Sequence, residues 1–375
     1  MEAVSVVRCQ GYHPAAVENG VLEAVRLLGE WDKFVRRGDK VLIKPNLLTG
    51  APPEKGVTTH PSLVRAVVLQ VKEAGGIPTI GDSPMLSSSL VRAAEKAGIK
   101  EVADHYGARL VEFDESIEVD NPYEGTFRRF EIAKQVFDFD VIVNLPKLKT
   151  HSQMLLTLAV KNLFGCVVGR KKVQWHFKAG TDRLYFARML VELYRTIGPQ
   201  LTIVDGIVAM EGNGPQSGRL RKLGLILAGR DCVALDMLIT HLLGLEPFLL
   251  PTTFVAREMG IAPVDIGKIK ILGEELNKVA VDDFQFPSYS TMAWNIPHWL
   301  QRRLKRYLTP LPSVELSKCT LCRRCLEACP TGAVSESNSQ MIINYDKCIT
   351  CFCCQEACPE GAIQLRGRWL MRLMS

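Results

Sequence analysis

Three things are missing from this 375-residue chain, and each absence removes a class of protein. No stretch reaches the roughly 18 uninterrupted apolar residues of a membrane-spanning helix; the longest apolar runs, such as Leu223–Ala228, are strand-sized. The N-terminus shows no basic segment followed by a long apolar one, so no signal peptide is expected. No strand closes on G-x-x-x-x-G-K-S/T or G-x-G-x-x-G, and Gly212-Asn213-Gly214 with Gly218 is too loose to replace either. NAD, FAD and ATP are therefore not expected. A flavin or deazaflavin demands no such motif, and no motif indicates one. The net charge of +6 is mild and falls short of a nucleic-acid-binding surface. The expectation is a cytoplasmic protein with no nucleic-acid partner and no membrane attachment.

What is present fits a globular chain of two domains, with 47% hydrophobic and 23% charged residues. Of 12 cysteines, nine fall between Cys319 and Cys358, leaving Cys9, Cys166 and Cys232 elsewhere. Such clustering without an export signal points to metal ligation under reducing conditions rather than to disulfides.

Cys319, Cys322, Cys325 and Cys329 with Pro330, and Cys348, Cys351, Cys354 and Cys358 with Pro359, both read C-x2-C-x2-C-x3-C-P. Thiolates at this spacing surround a metal centre only if the backbone coils tightly and turns its N–H groups toward the sulfurs. Structural zinc is the competing reading of the C-x2-C pairs, and two complete four-cysteine runs with both prolines argue against it. From about Ser313 to Leu365 the chain closely resembles bacterial two-cluster ferredoxins. That resemblance implies two 4Fe–4S clusters, the fourth cysteine of each run ligating the other cluster. Cys319, Cys322, Cys325 and Cys358 would hold one; Cys348, Cys351, Cys354 and Cys329 the other. Ferredoxins of this type commonly carry glycine before the third cysteine, where this chain has Arg324 and Cys353. Cys353 is then a spare ligand or a small buried residue.

Residues 1–285 alternate short apolar runs with amphipathic stretches, the pattern of an α/β domain with a mostly parallel sheet and flanking helices. Strands are predicted at Val4–Arg8, Lys40–Lys44, Ile77–Ile80, Arg109–Phe113, Asp140–Asn144, Leu201–Val204, Gly224–Ala228 and Lys268–Leu272. Helices are predicted at Pro61–Ala74 and Thr181–Ile197, the latter with an apolar stripe through Leu184, Ala187, Leu190, Val191 and Tyr194. Charged and turn-forming residues gather after the strands, where open α/β sheets place their ligands. Helix caps and turns explain Asp82, Ser83 and Asp231. They do not explain Lys44, Lys147, Lys149 and His151, because cations are not favoured at helix N-termini.

Lys147, Lys149 and His151 alternate, so an extended chain turns them one way. With Lys44, Asn46, Lys161 and Asn162 they make a candidate site for a carboxylate or phosphate, unless Asp or Glu partners within the fold neutralise them. Asp205 and Glu211 pair with these lysines, bind a divalent cation or relay protons; His151 and Asp205 are the candidate proton donors. His176, near Lys171 and Lys172, reads as part of a solvated basic turn or as a ligand.

Lys44-Pro45-Asn46-Leu47-Leu48, Thr58-Thr59-His60-Pro61, Ile80-Gly81-Asp82-Ser83-Pro84, Asn144 through His151, Leu156 through Gly165 and Ile203 through Pro215 occur in order. Together they resemble the DUF362 family over about Lys40 to Gly244. The resemblance implies the architecture, including a ferredoxin-like tail, and supplies no reaction.

Residues 286–312 hold no acidic residue but carry Arg302, Arg303, Lys305 and Arg306 along an amphipathic pattern. Such a linker docks an acidic module, here the ferredoxin-like domain at 313–365, or lies on a membrane surface. The tail, 366–375, repeats that ambiguity. The expected protein is an iron–sulfur oxidoreductase that passes low-potential electrons to a small anionic ligand, with a redox protein as electron donor or acceptor. A non-catalytic electron carrier or a redox sensor is the alternative.

Overall fold

In the computed structural model, which describes residues 1–85, 89–180, 182–287 and 309–367, one large sheet forms the frame of the N-terminal region. Its first strands are β1 (Glu2–Arg8), β2 (Lys40–Pro45), β3 (Ile77–Asp82) and β4 (Arg109–Glu112). A separate hairpin follows, β5 (Ser116–Asp120) with β6 (Arg129–Ala133). The sheet continues with β7 (Val141–Leu145), β8 (Lys147–His151), β9 (Leu155–Thr157), β10 (Leu201–Glu211), β11 (Arg219–Gly229) and β12 (Ile269–Gly273).

The strand order is β12-β1-β11-β10-β7-β2-β3-β4, with β8 beside β10 and β9 beyond β8. β10, β7, β2, β3 and β4 run parallel, and β11 runs against both its neighbours. The expected mostly parallel α/β sheet is therefore present. All eight predicted strands appear within a few residues of their expected bounds. β10 and β11 are longer, 11 residues each, paired through an irregularity between Gly206 and Val208.

Helices cover both faces because the central strands are apolar on both sides. Val41, Ile43, Val141 and Val143 point into one core with α1 (Pro14–Arg26), α2 (Pro61–Glu73), α3 (Leu90–Lys96) and α4 (Ile99–Tyr106). Leu42, Ile142, Leu225 and Leu227 point into the other. That second core is closed by α5 (Ala159–Asn162), α6 (Arg170–Ala179), α7 (Arg183–Ile197), α8 (Cys232–Leu242) and α9 (Pro251–Glu258). The helix predicted from Thr181 starts at Arg183, capped by Asp182, and Thr181 itself lies outside the described residues. It buries Phe186, Leu190 and Leu193, each worth about 1.5–3 kcal/mol. Leu184, expected on the apolar stripe, is exposed instead.

In the C-terminal domain β13 (Leu311–Val314) pairs with β16 (Ile363–Arg366), and β14 (Val334–Ser337) with β15 (Gln340–Ile343). Single helical turns at Arg324–Glu327 and Cys353–Ala357 sit inside the two cysteine runs. The basic residues Arg302, Arg303, Lys305 and Arg306, and the tail from 368, lie outside the described residues. No helix among the described residues is long and apolar enough to cross a membrane.

Candidate functional site

Cys319, Cys322, Cys325 and Cys358 line one cavity of the C-terminal domain, and Cys329, Cys348, Cys351 and Cys354 line another. Local backbone geometry makes these concavities. Leu321 and Arg323 in the first run, and Thr350 and Phe352 at the matching positions of the second, all have positive φ. Left-handed residues placed so closely curl the chain into a nest whose N–H groups turn inward, which suits an anionic thiolate cluster. Ala333 N and Ala362 N donate to Cys329 Sγ and Cys358 Sγ, each at 3.2 Å. Arg324 and Cys353 open right-handed turns, so neither position requires glycine. The donor set fits iron–sulfur clusters. Cys353 lines neither cavity and packs with Cys351, Ala357 and Met85.

The predicted site residues come together as a buried cluster past the carboxyl ends of β2 and β7, beside β10. Lys147, Lys149 and His151 alternate along β8 onto one side, and each is only 1% exposed. Lys44 Nζ, however, lies 2.9 Å from Asp82 Oδ1, and Lys147 Nζ lies 3.0 Å from Asp205 Oδ2. Both pairs are buried, so two of the expected anion holders are already neutralised within the fold. Tyr12 joins the second pair, accepting from Lys147 at 2.7 Å and donating to Asp205 Oδ1 at 2.7 Å. Asn46 donates to Asn162 Oδ1 and Asn162 to Asn144 Oδ1, a ladder that ties β2 to α5 and β7.

Lys149 is different. Its Nζ donates to Val57 O at 2.5 Å, and no carboxylate pairs with it among the described residues. Burial and repulsion from Lys161 hold its ammonium down to about 7.

A carboxylate does stand beside Lys161 and His151, and it comes from the C-terminal domain. Glu356, buried on the turn Cys353–Ala357, places Oε1 2.7 Å from His151 Nε2 and Oε2 3.9 Å from Lys161 Nζ. His151 Nδ1 accepts from Gln153 N and Met154 N at 3.1 and 3.2 Å, so its proton sits on Nε2 and is donated to Glu356. Burial and then Lys161 push His151 down to about 4, leaving it neutral at pH 7. Burial raises Glu356, but Lys161 and His151 outweigh it and hold the carboxyl well below its usual range. Ser152 Oγ donates to Gln355 Oε1 at 2.5 Å, and Gln216 Nε2 to Glu356 O at 2.6 Å.

Residues 41–241, more than half of the chain, match the profile of the "Domain of unknown function (DUF362)". The chain belongs to the DUF362 family. Residues 311–359 of this DUF362 protein match the 4Fe-4S dicluster domain, so its C-terminal domain is a ferredoxin-type iron–sulfur electron-transfer module. A thylakoid-associated protein of Synechocystis sp. is 37% identical over 308 residues, 82% of this chain and 95% of that protein. Among solved structures, the lactate racemase apoprotein of Thermoanaerobacterium thermosaccharolyticum aligns with a TM-score of 0.39 at 12% identity. The chain spans little more than half of that structure, 54%, and the alignment covers 61% of this chain. A Thermotoga maritima protein aligns at 0.35 and 10% identity, over 59% of this chain and 56% of that one. Neither likeness bears on function.

Within the DUF362 domain several residues take places the sequence did not announce. His176 lies not in a solvated loop but inside α6, buried against Phe164 and Phe186. Lys172, one turn earlier, is buried and donates to Ser83 O and Pro84 O. Glu211 is spent on Arg219 and Gln285 N. Asp231 caps α8 as expected, whereas Asp82 is more than a turn residue because it holds Lys44. Tyr12, Gln355 and Glu356 were missed as site residues. They lie 135 or more residues from their crevice partners, and no local pattern marks them.

Proposed function

We propose that this DUF362 protein is an iron–sulfur oxidoreductase in which two 4Fe–4S clusters exchange low-potential electrons with an anionic substrate or cofactor in the α/β crevice. Bound clusters supply one-electron chemistry. Cys319, Cys322, Cys325 and Cys358 hold one, and Cys329, Cys348, Cys351 and Cys354 the other. The observation that carries the reading is the junction. Gln355 and Glu356 fall between Cys354 and Cys358 in the chain and are buried against Ser152 and His151. The second cysteine run thus packs directly against the buried cluster around His151.

In this reading His151, whose proton sits on Nε2, and Asp205, reached through Tyr12, are the candidates for moving protons. Lys149 and Lys161 face the anion, while Lys44, Asn46, Asn162 and Lys147 hold the surrounding backbone and carboxylates in place. A low-potential redox protein completes the electron path. The cytoplasm is the compartment we favour, because thiols stay reduced there. Salt-sensitive pelleting with anionic vesicles would instead favour a membrane-surface location such as the name of the Synechocystis relative suggests.

One observation favours a second reading. Glu356 itself occupies part of the cation cluster, as it would if the crevice were only a seat for the chain's own ferredoxin domain in an electron carrier or redox sensor. The two readings separate when dithionite-reduced protein is mixed anaerobically with fractionated cell extract and the visible absorbance of the clusters is followed. Reoxidation by a small, anion-exchange-retained fraction supports the oxidoreductase. Reoxidation by protein fractions alone supports the carrier.

A further inference from the structure

Buried lysines at the junction outnumber the carboxylates paired with them. Lys44, Lys147, Lys149 and Lys172 are buried and Lys161 nearly so, against the carboxylates of Asp82, Asp205 and Glu356. These five lysines have ion pairs with three carboxylates among the described residues, before the charge of any bound cluster is counted. Two lysines are paired, Lys172 is held by the carbonyls of Ser83 and Pro84, and Lys161 leans on Glu356. Lys149 is left with one carbonyl, that of Val57.

The polar atoms near it are unsatisfied too. Thr157 stands directly opposite Lys149 in the β8–β9 pairing; it is 3% exposed and its Oγ1 has no partner. Thr58 follows Val57, is 1% exposed, and its Oγ1 also has none. Buried polar atoms are normally satisfied, and an orphan points to a missing partner. An ammonium with spare N–H groups, two unpartnered hydroxyls and a second cation nearby lack one thing in common, an acceptor carrying negative charge.

We infer that Lys149 anchors a buried oxyanion site for a carboxylate or phosphate group, with Lys161 as second cation and the hydroxyls of Thr58 and Thr157 as further donors. The site deepens the oxidoreductase reading and rests on it. It moves the anion-holding role from Lys44 and Lys147, which have their own carboxylates, to Lys149 and Lys161.

Inorganic phosphate and acetate serve as probes. Thermal unfolding of the intact, cluster-loaded chain is followed at rising concentrations of each, with ionic strength fixed by chloride. A ligand that binds only the folded state raises the midpoint, so the midpoint of the wild type should climb with at least one probe. Lys149→Gln should abolish the climb. That variant orphans no carboxylate and removes surplus charge, so it should fold. Thr157→Val keeps every charge and nearly the same shape, and should weaken the response by about tenfold, the worth of one hydrogen bond to an ion. A wild type unmoved by either anion, or a full climb in Lys149→Gln, overturns the site. So does an unresponsive wild type in which Lys149→Gln lowers the cluster reduction potential, since the lysine would then serve the cluster. Iron content and the visible spectrum of the same samples report separately on the iron–sulfur reading.

Discussion

Lys147 and Lys149 are separated by one residue on β8 and equally buried, yet their removal should have opposite consequences. Lys147→Ala leaves Asp205 buried without its ion-pair partner, a change that typically costs about 3–5 kcal/mol. Lys149→Gln breaks no ion pair and should leave stability unchanged or higher. Urea unfolding of the two variants decides this, and equal losses would show that Lys149 has a carboxylate partner after all. The same lysine sets a pH dependence. Held at about 7 in the fold against its usual 10.5, it binds fewer protons folded than unfolded across that window. Its contribution to stability should therefore grow from about pH 7 to 10.5 and be lost as pH falls through 7. The charges behind the shift are Lys161, Glu356, Lys147 and Asp82. The stability difference between wild type and Lys149→Gln should rise across that range; a flat difference would contradict the assignment.

Elements of the sheet core were legible because apolar runs bounded by turns mark buried strands. β8 was not. Lys-Leu-Lys-Thr-His has little strand propensity, and it becomes a strand because β10 continues past Val204 on one edge and β9 pairs with it on the other. The face it presents was legible, since alternation alone predicted that Lys147, Lys149 and His151 point together. The charges of Lys171, Lys172 and His176 suggest a solvated basic turn, but Lys172, Trp175, His176 and Ala179 recur at helical spacing and are the buried residues of α6. The short 3-10 turn Leu163–Cys166 carries its own test. A Cβ on Gly165 would run into Asp82 Oδ1 and Lys44 Nζ, so the turn can approach the ion pair only as glycine. Gly165→Ala should destabilise the fold by about 1–3 kcal/mol in urea unfolding. A neutral result would mean that the Lys44–Asp82 pair gives way more easily than its burial suggests.

The whole molecule is held together across its two domains by contacts that no local pattern encodes. The resemblance to two-cluster ferredoxins implied two crossed sets of four cysteines, and the same two sets line the two cavities of the C-terminal domain. The meeting of Glu356 with His151 across 205 residues was out of reach of any local pattern, while the basic linker expected to dock this domain lies outside the described residues. Glu315 and Glu336 pair with Lys318 and Arg323 of their own domain. Combining Glu356→Gln with Ser152→Ala should loosen the junction, seen as faster amide hydrogen exchange in β8 with exchange in β2 unchanged; unchanged exchange in β8 would mean that apolar contacts at Met85 and Leu48 hold the domains alone. Crossed ligation of two clusters is tested most directly by iron analysis of anaerobically prepared double variants. Wild type should contain about eight irons and eight sulfides per chain. Cys322→Ala with Cys358→Ala removes two ligands of one cluster and should leave about four irons, whereas Cys354→Ala with Cys358→Ala strikes both clusters and should leave none. The reverse pattern, or near-stoichiometric zinc without sulfide, would contradict it.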